Sequence, residues 1–179
     1  MDKFANLNRI SISKITMKKY IFGLFAIASL LFSSCLKSTE PVVVPDPRIQ
    51  LAKDTLIIRK FISENNILAL KDSIYSIFYQ IKTAGIGSHK YTSNSQITVK
   101  YVGKFLDGRK FDDKLKDSVI YTLGNLIPGW QIGVSRIQKG GKIRLIIPSG
   151  YAYDRFGSKS GTIPPNTILD FDIELLDVK

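Results

Sequence analysis

The chain has 179 residues, 44% of them apolar and 11% aromatic, and a net charge of +11 from 26 Lys and Arg against 15 Asp and Glu. This composition excludes wholesale disorder and fits one ordinary domain with extra segments. A single His and a single Cys exclude a Cys/His zinc site and an intrachain disulfide.

Met17-Lys18-Lys19 precedes an apolar stretch from Tyr20 to Phe32, followed by Ser33-Ser34-Cys35. A basic start, a short apolar run and small residues before a cut are the pattern of a secretory signal peptide over residues 1–34. The run falls short of the roughly 20 apolar residues that a membrane-spanning helix needs. Met17 makes a tidier start than Met1. Leu31-Phe-Ser-Ser-Cys35 resembles a bacterial lipobox, which would make Cys35 the lipidated first residue of the mature chain. Buried lipid CH₂ groups then supply attachment to a membrane, at about 0.8 kcal/mol each. The expected place is the bacterial cell envelope. Leu36, where Asp would signal retention, favours the outer membrane, facing the periplasm.

Residues 35–47 carry Pro41, Pro45 and Pro47 around Val42-Val43-Val44 and are expected to be an extended tether. Residues 48–66 place Leu51, Thr55, Ile58 and Ile62 at helical spacing, widened by Leu56, Ile57 and Phe61, before Asn65-Asn66. This predicts an amphipathic helix. Whether its apolar face covers the following domain or meets a partner or a second copy stays open.

After Asp72 the period changes to two. Tyr75, Ile77, Tyr79 and Ile81 predict a strand that ends at Gly85-Ile-Gly87, and Ile97, Val99 and Tyr101 predict another. Asp107-Gly108 is a hairpin turn signal. Val119 to Leu123 and Lys142 to Ile147 are further strands. In the last strand Thr167, Leu169, Phe171, Ile173 and Leu175 share one face. Ile168, Asp170, Asp172 and Glu174 share the other, predicting a mostly wet side. One short helix is expected between Pro128 and Ile137, with Pro near its first turn. The whole predicts an α+β fold, a largely antiparallel sheet on one short helix.

Several chemistries find no support. Gly85-Ile-Gly87 lacks the third glycine and the helix of a dinucleotide fingerprint. Ser149 is not on a nucleophile elbow, and His89 is the only imidazole available to it. Asp112-Asp113 with Asp117 has no calcium-loop spacing, and adjacent strand residues point to opposite faces. No metal or cofactor is implied. Basic residues after the leader stand singly apart from Arg59-Lys60 and Arg109-Lys110, a solvated surface rather than a nucleic-acid stripe.

In order, the chain carries Tyr101-Val-Gly103, Asp107-Gly-Arg-Lys-Phe-Asp112, Leu126-Ile-Pro-Gly-Trp130 and Gly140-Gly-Lys-Ile-Arg-Leu-Ile-Ile-Pro148. Tyr151-Ala-Tyr153, Ile163-Pro-Pro-Asn-Thr167 and Leu169-Asp-Phe-Asp-Ile-Glu-Leu-Leu176 follow. Over residues 72–179 the chain resembles an FKBP-type peptidyl-prolyl cis–trans isomerase, in the lipoprotein form found in the envelope of Bacteroidetes-like bacteria. The resemblance implies a curved antiparallel sheet wrapped around one short α-helix, here with an extra N-terminal helix. It implies rotation about Xaa-Pro bonds in exported or envelope proteins, with no cofactor. It also implies proline-containing polypeptides as substrates and macrolide inhibitors of the family as ligands.

Residue by residue, the resemblance places Asp112, Tyr153, Trp130 and Phe111 as catalytic. Trp130 forms the floor beneath the proline ring, Asp112 the wall, and the Tyr153 hydroxyl bonds the peptide. Tyr101, Val119, Leu126, Ile127, Ile163 and Phe171 complete the substrate site, with the Ile127 N–H receiving a substrate carbonyl. Val119 stands where the family commonly has an aromatic wall, and Asp154 where it has Gly. Two alternatives remain beside the enzyme: a non-catalytic peptide-binding chaperone of the same fold, and an accessory lipoprotein of an envelope complex docked through residues 48–66.

Overall fold

The computed structural model describes residues 46–179; the leader, Cys35 and most of the tether lie outside the described residues. The first described element is helix α1, Pro47–Glu64. Asp46 caps it, its carboxylate accepting the Arg48 N–H at 2.9 Å, and Pro47 supplies the preset φ of a first helical residue. Asn65 ends it, giving its side-chain N–H to Phe61 O at 2.9 Å, and Asn66 turns away at φ 51.

Seven strands follow: β1 Leu70–Lys71, β2 Phe78–Thr83, β3 Gln96–Lys104, β4 Lys110–Asp113, β5 Val119–Thr122, β6 Lys142–Ile147 and β7 Leu169–Val178. Helix α2, Pro128–Val134, lies between β5 and β6. All pairings are antiparallel, in the order β1-β2-β6-β7-β3-β4, with β5 also on β3. Among the described residues the result is the expected α+β architecture, an open antiparallel sheet with two α-helices.

The strand period of two sorts side chains to two cores. Ile143, Leu145 and Ile147 of β6 face α2, with Val99, Tyr101, Trp130, Val134, Leu169, Phe171, Ile173 and Leu175 around them. Ile146 and Phe78 face the other way, where Ile58, Ile67 and Ile168 join them beneath α1. The apolar face of α1 therefore covers its own domain. Its stripe is narrower than the sequence predicts, for Leu56 and Ile57 remain exposed at 69% and 51%. Asp54 takes a buried place on that stripe.

Two expectations about strands need correction. The strand expected from Tyr75 is β2 and starts at Phe78, because the Asp72 carboxylate accepts the N–H groups of Ile74 and Tyr75 at 2.9 and 2.5 Å. That turn, with Ser76 at φ 57, competes with the sheet for the backbone. The outer face of β7 is wet only toward its end. Helix α1 covers Ile168, and Asp170 is buried, while Asp172 and Glu174 are half-buried. Asp170, 4% exposed, is met by Arg144 in a two-point bond, Nε to Oδ1 at 2.9 Å and Nη2 to Oδ2 at 2.6 Å.

Candidate functional site

A cavity of about 300 Å³ opens between β3, β4, β5, α2 and β7. Tyr101, Phe111, Asp112, Tyr121, Asn125, Leu126, Ile127, Trp130, Tyr153 and Phe171 line it. Each ring is placed by its element. Tyr101 follows Ile97 and Val99 on the inner face of β3. Phe171 sits opposite Gly103, two pairs along from Tyr101 opposite Ile173 and so on the same face of the sheet. Trp130 stands in the first turn of α2, started by Pro128, with its own N–H closing on Ile127 O at 2.9 Å.

The rings meet edge to face, the arrangement that their quadrupoles prefer. Trp130 contacts Tyr101 at 5.0 Å and 86°, and Phe171 at 5.3 Å and 89°. Phe171 meets Phe111 at 5.4 Å and 88°. The Trp130 ring, 4% exposed, is thus a floor whose tilt three neighbouring rings fix.

Polar groups are few and converge on one wall. The Tyr101 hydroxyl donates to Asp112 Oδ2 at 2.5 Å and lies 3.2 Å from the Tyr121 hydroxyl. The Lys114 ammonium is 3.8 Å from the other Asp112 oxygen. Tyr153, 38% exposed, stands at the mouth, and its hydroxyl makes no hydrogen bond among the described residues. The Ile127 N–H likewise takes no part in the hydrogen bonds among the described residues. Gln131 fixes the loop before it, its side-chain N–H donating to Leu126 O at 2.7 Å. The cleft therefore offers two outward donors, one carboxylate and an apolar floor. Among the described residues no group of His, Cys, Asp and Glu could hold a metal ion.

Burial, and then the hydrogen bond to Asp112, push the Tyr101 phenol far above its ordinary value near 10. Burial and the Asp112 charge raise Tyr153 as well. Both hydroxyls therefore keep their protons through neutral and mildly alkaline pH. Because the raised value belongs to the folded state, the contribution of Tyr101 to stability is whole below the unfolded value near 10 and declines above it. The expected decline is about 1.4 kcal/mol per pH unit. Denaturant midpoints measured upward from about pH 8, for the wild type beside Tyr101→Phe, check this: equal alkaline slopes in the two proteins would overturn it.

Of the residues expected at the site, Tyr101, Phe111, Asp112, Leu126, Ile127, Trp130, Tyr153 and Phe171 come together. Val119 and Ile163 do not line the cavity. Val119 pairs with Val99 on β5 and packs on the core, sharing a strand face with Tyr121, whose longer side chain reaches the cleft. Ile163 is 5% exposed within the core, its N–H held by Ser158 Oγ at 2.9 Å. Tyr121 and Asn125 are lining residues that the sequence reading missed; the alternation Val119, Tyr121 was the available signal for the first.

The family model described as FKBP-type peptidyl-prolyl cis–trans isomerase matches residues 87–176, half of the chain. The FKBP-type peptidyl-prolyl cis–trans isomerase FkpA of Escherichia coli K12 is 40% identical over 180 residues, covering 99% of this chain and 61% of that protein. The chain thus spans about three fifths of the length of this relative. FK506-binding protein 4 of Dictyostelium discoideum is 43% identical over 86 residues, 47% of this chain and 23% of its own. The crystal structure of E. coli FkpA superposes with a TM-score of 0.63 at 36% identity, over 74% of this chain and 60% of that one. A peptidyl-prolyl cis–trans isomerase from Pseudomonas syringae pv. tomato superposes with a TM-score of 0.59 at 29% identity, over 76% and 98%. On the family match and the fold together, the chain belongs to the FKBP-type peptidyl-prolyl cis–trans isomerase family.

Proposed function

We propose that the protein rotates Xaa-Pro bonds of exported or envelope polypeptides in the cleft floored by Trp130. The observation that carries this reading is the cleft itself, an aromatic-lined cavity with one carboxylate and outward hydroxyl and amide donors.

The chemistry needs no nucleophile and no metal. Isomerisation is slow because amide resonance must be lost, at a barrier of about 18–20 kcal/mol. The twisted amide is less dipolar than the planar one, so water favours the reactant over the transition state. Seating the proline ring on Trp130, among Tyr101, Phe111 and Phe171, removes that water. The Ile127 N–H and the Tyr153 hydroxyl bond carbonyls on either side of the bond and hold the chain in a turn near the twisted geometry. Asp112, anchored by the Tyr101 hydroxyl, faces the rotating carbonyl and disfavours the orientation in which that oxygen points at it. The family's macrolide inhibitors, which place a ring on such a floor, are ligands to be tested against this cleft.

The test is cis-to-trans exchange of short Xaa-Pro peptides by NMR, with a soluble protein beginning after Cys35. Asp112→Ala and Tyr153→Phe are each expected to lower kcat/KM about tenfold with folding intact. A folded wild type that accelerates no peptide would instead identify a peptide-binding module. The envelope location rests on Met17 to Cys35. Radiolabelled palmitate incorporation lost in Cys35→Ala would support it; a chain that never labels would refute the anchor.

A further inference from the structure

The Tyr153 hydroxyl has no partner among the described residues, so the backbone that carries it sets its place. That backbone is pinned on both sides. On the far side Asn166 N–H donates to Asp154 O at 2.8 Å, and Gly157 N–H to Tyr153 O at 3.1 Å. On the near side Ser149, 0% exposed, opens a single turn in which Tyr151 N–H bonds Pro148 O and Ala152 N–H bonds Ser149 O, each at 2.9 Å.

Ser149 is in turn held from α1. Its N–H donates to Asp54 Oδ2 at 2.7 Å and its hydroxyl to the same oxygen at 2.6 Å. Asp54 is 1% exposed, and its other oxygen accepts from Gln50 Nε2 at 2.7 Å. Three donors thus satisfy a carboxyl group taken almost wholly out of water.

Ile58, one turn along, seats the helix on Phe78, Ile146 and Ile168, whereas Asp54 meets the Ser149 turn. What the carboxylate does that an apolar side chain cannot is satisfy and orient the buried N–H and hydroxyl of Ser149, four residues before Tyr153. We infer that Asp54 is a positioning residue for Tyr153, so that α1, which lies outside the residues matched by the family model, is a working part of the cleft. This rests on the isomerase reading above.

The test is a double-mutant cycle. Asp54→Leu keeps the branched outline, with somewhat more bulk, and removes both acceptors; it is expected to lower kcat/KM about tenfold in the wild type and not at all in Tyr153→Phe. Asp54→Asn should restore activity to within about twofold, because its oxygen can accept both Ser149 groups while the Gln50 amide turns to accept its N–H. Equal losses for Asp54→Leu in the two backgrounds would overturn the inference, leaving Asp54 a purely structural residue. Should Asp54→Leu not fold, Ser149→Ala, which removes one of the two bonds, carries the same cycle with about a threefold loss. A wild type without activity would sink the isomerase reading, not this one. The cycle is then read in affinity for a proline peptide from the fluorescence of Trp130, the chain's only tryptophan. Non-additivity there supports the inference and additivity overturns it.

Discussion

Gly103→Ala is expected to lower kcat/KM for Xaa-Pro peptides about a hundredfold, the cost of misplacing reacting groups by about an ångström. Gly103 lies on β3 opposite Phe171 and Asp112, where two rings of the cleft cross its backbone. A Cβ there would stand 2.6 Å from two atoms of the Phe111 ring and 2.9 Å from Phe171. Neither ring can yield freely. Phe171 is braced by Tyr101 and Trp130, and Phe111 by Phe105 at 5.2 Å. Both must shift, and the floor set by Trp130 loses its neighbours. Overpacking of this kind costs about 1–3 kcal/mol of stability, so melting should be measured beside exchange kinetics. Wild-type kinetics from Gly103→Ala would mean that these rings do not shape the transition state.

The second large effect concerns stability away from the cleft. Asp170→Ala should destabilise the domain by about 3–5 kcal/mol, the usual consequence of removing one partner of a buried ion pair. Its two-point bond to Arg144 lies under α1, with the guanidinium 5.9 Å from the centre of the Phe61 ring. That bond also holds Arg144 above its ordinary value. Once Asp170 is gone, the Arg144 charge, with only 22% of its side chain exposed, has lost its closest anion. Replacing both residues by leucine should recover most of the loss, since an apolar pair pays no desolvation penalty. Urea denaturation of the three proteins checks this. A single variant as stable as the wild type would show that Arg144 finds water or another acid without strain.

The strands and the cleft were legible in the sequence to different depths. Ile97, Val99 and Tyr101 alternate as a half-buried strand must, and Lys142 to Ile147 appears with the predicted bounds. Trp130 and Phe171 were placed because ordered motifs fix them on elements whose type is strongly patterned. Tyr121 escaped because alternation says which face a residue shares, not how far its side chain reaches. Asp54 escaped for a different reason. Helical periodicity flags apolar positions, and a carboxylate on the inner stripe gains meaning only from Ser149, 95 residues later. The start of β2 was misplaced because the Asp72 turn is a local hydrogen-bond choice that period-two patterning does not register. The outer face of β7 looked wet because the cover that α1 gives Ile168, and the bond that Arg144 gives Asp170, are tertiary facts.

The position of β7 also bears on how the domain assembles. It lies between β6 and β3, so it alone joins the β1-β2-β6 half of the sheet to the β3-β4-β5 part. Residues 96–104 and 142–147 have no direct pairing with each other and meet only across residues 169–178. A chain made from its N-terminus therefore has nothing to join the two parts of the sheet until the segment at 169–178 is available. Pairings that span so much sequence must meet the entropy of loop closure before any contact rewards it, and they fold slowly. Closure of the sheet thus depends on its central strand, the last of the seven described strands in chain order.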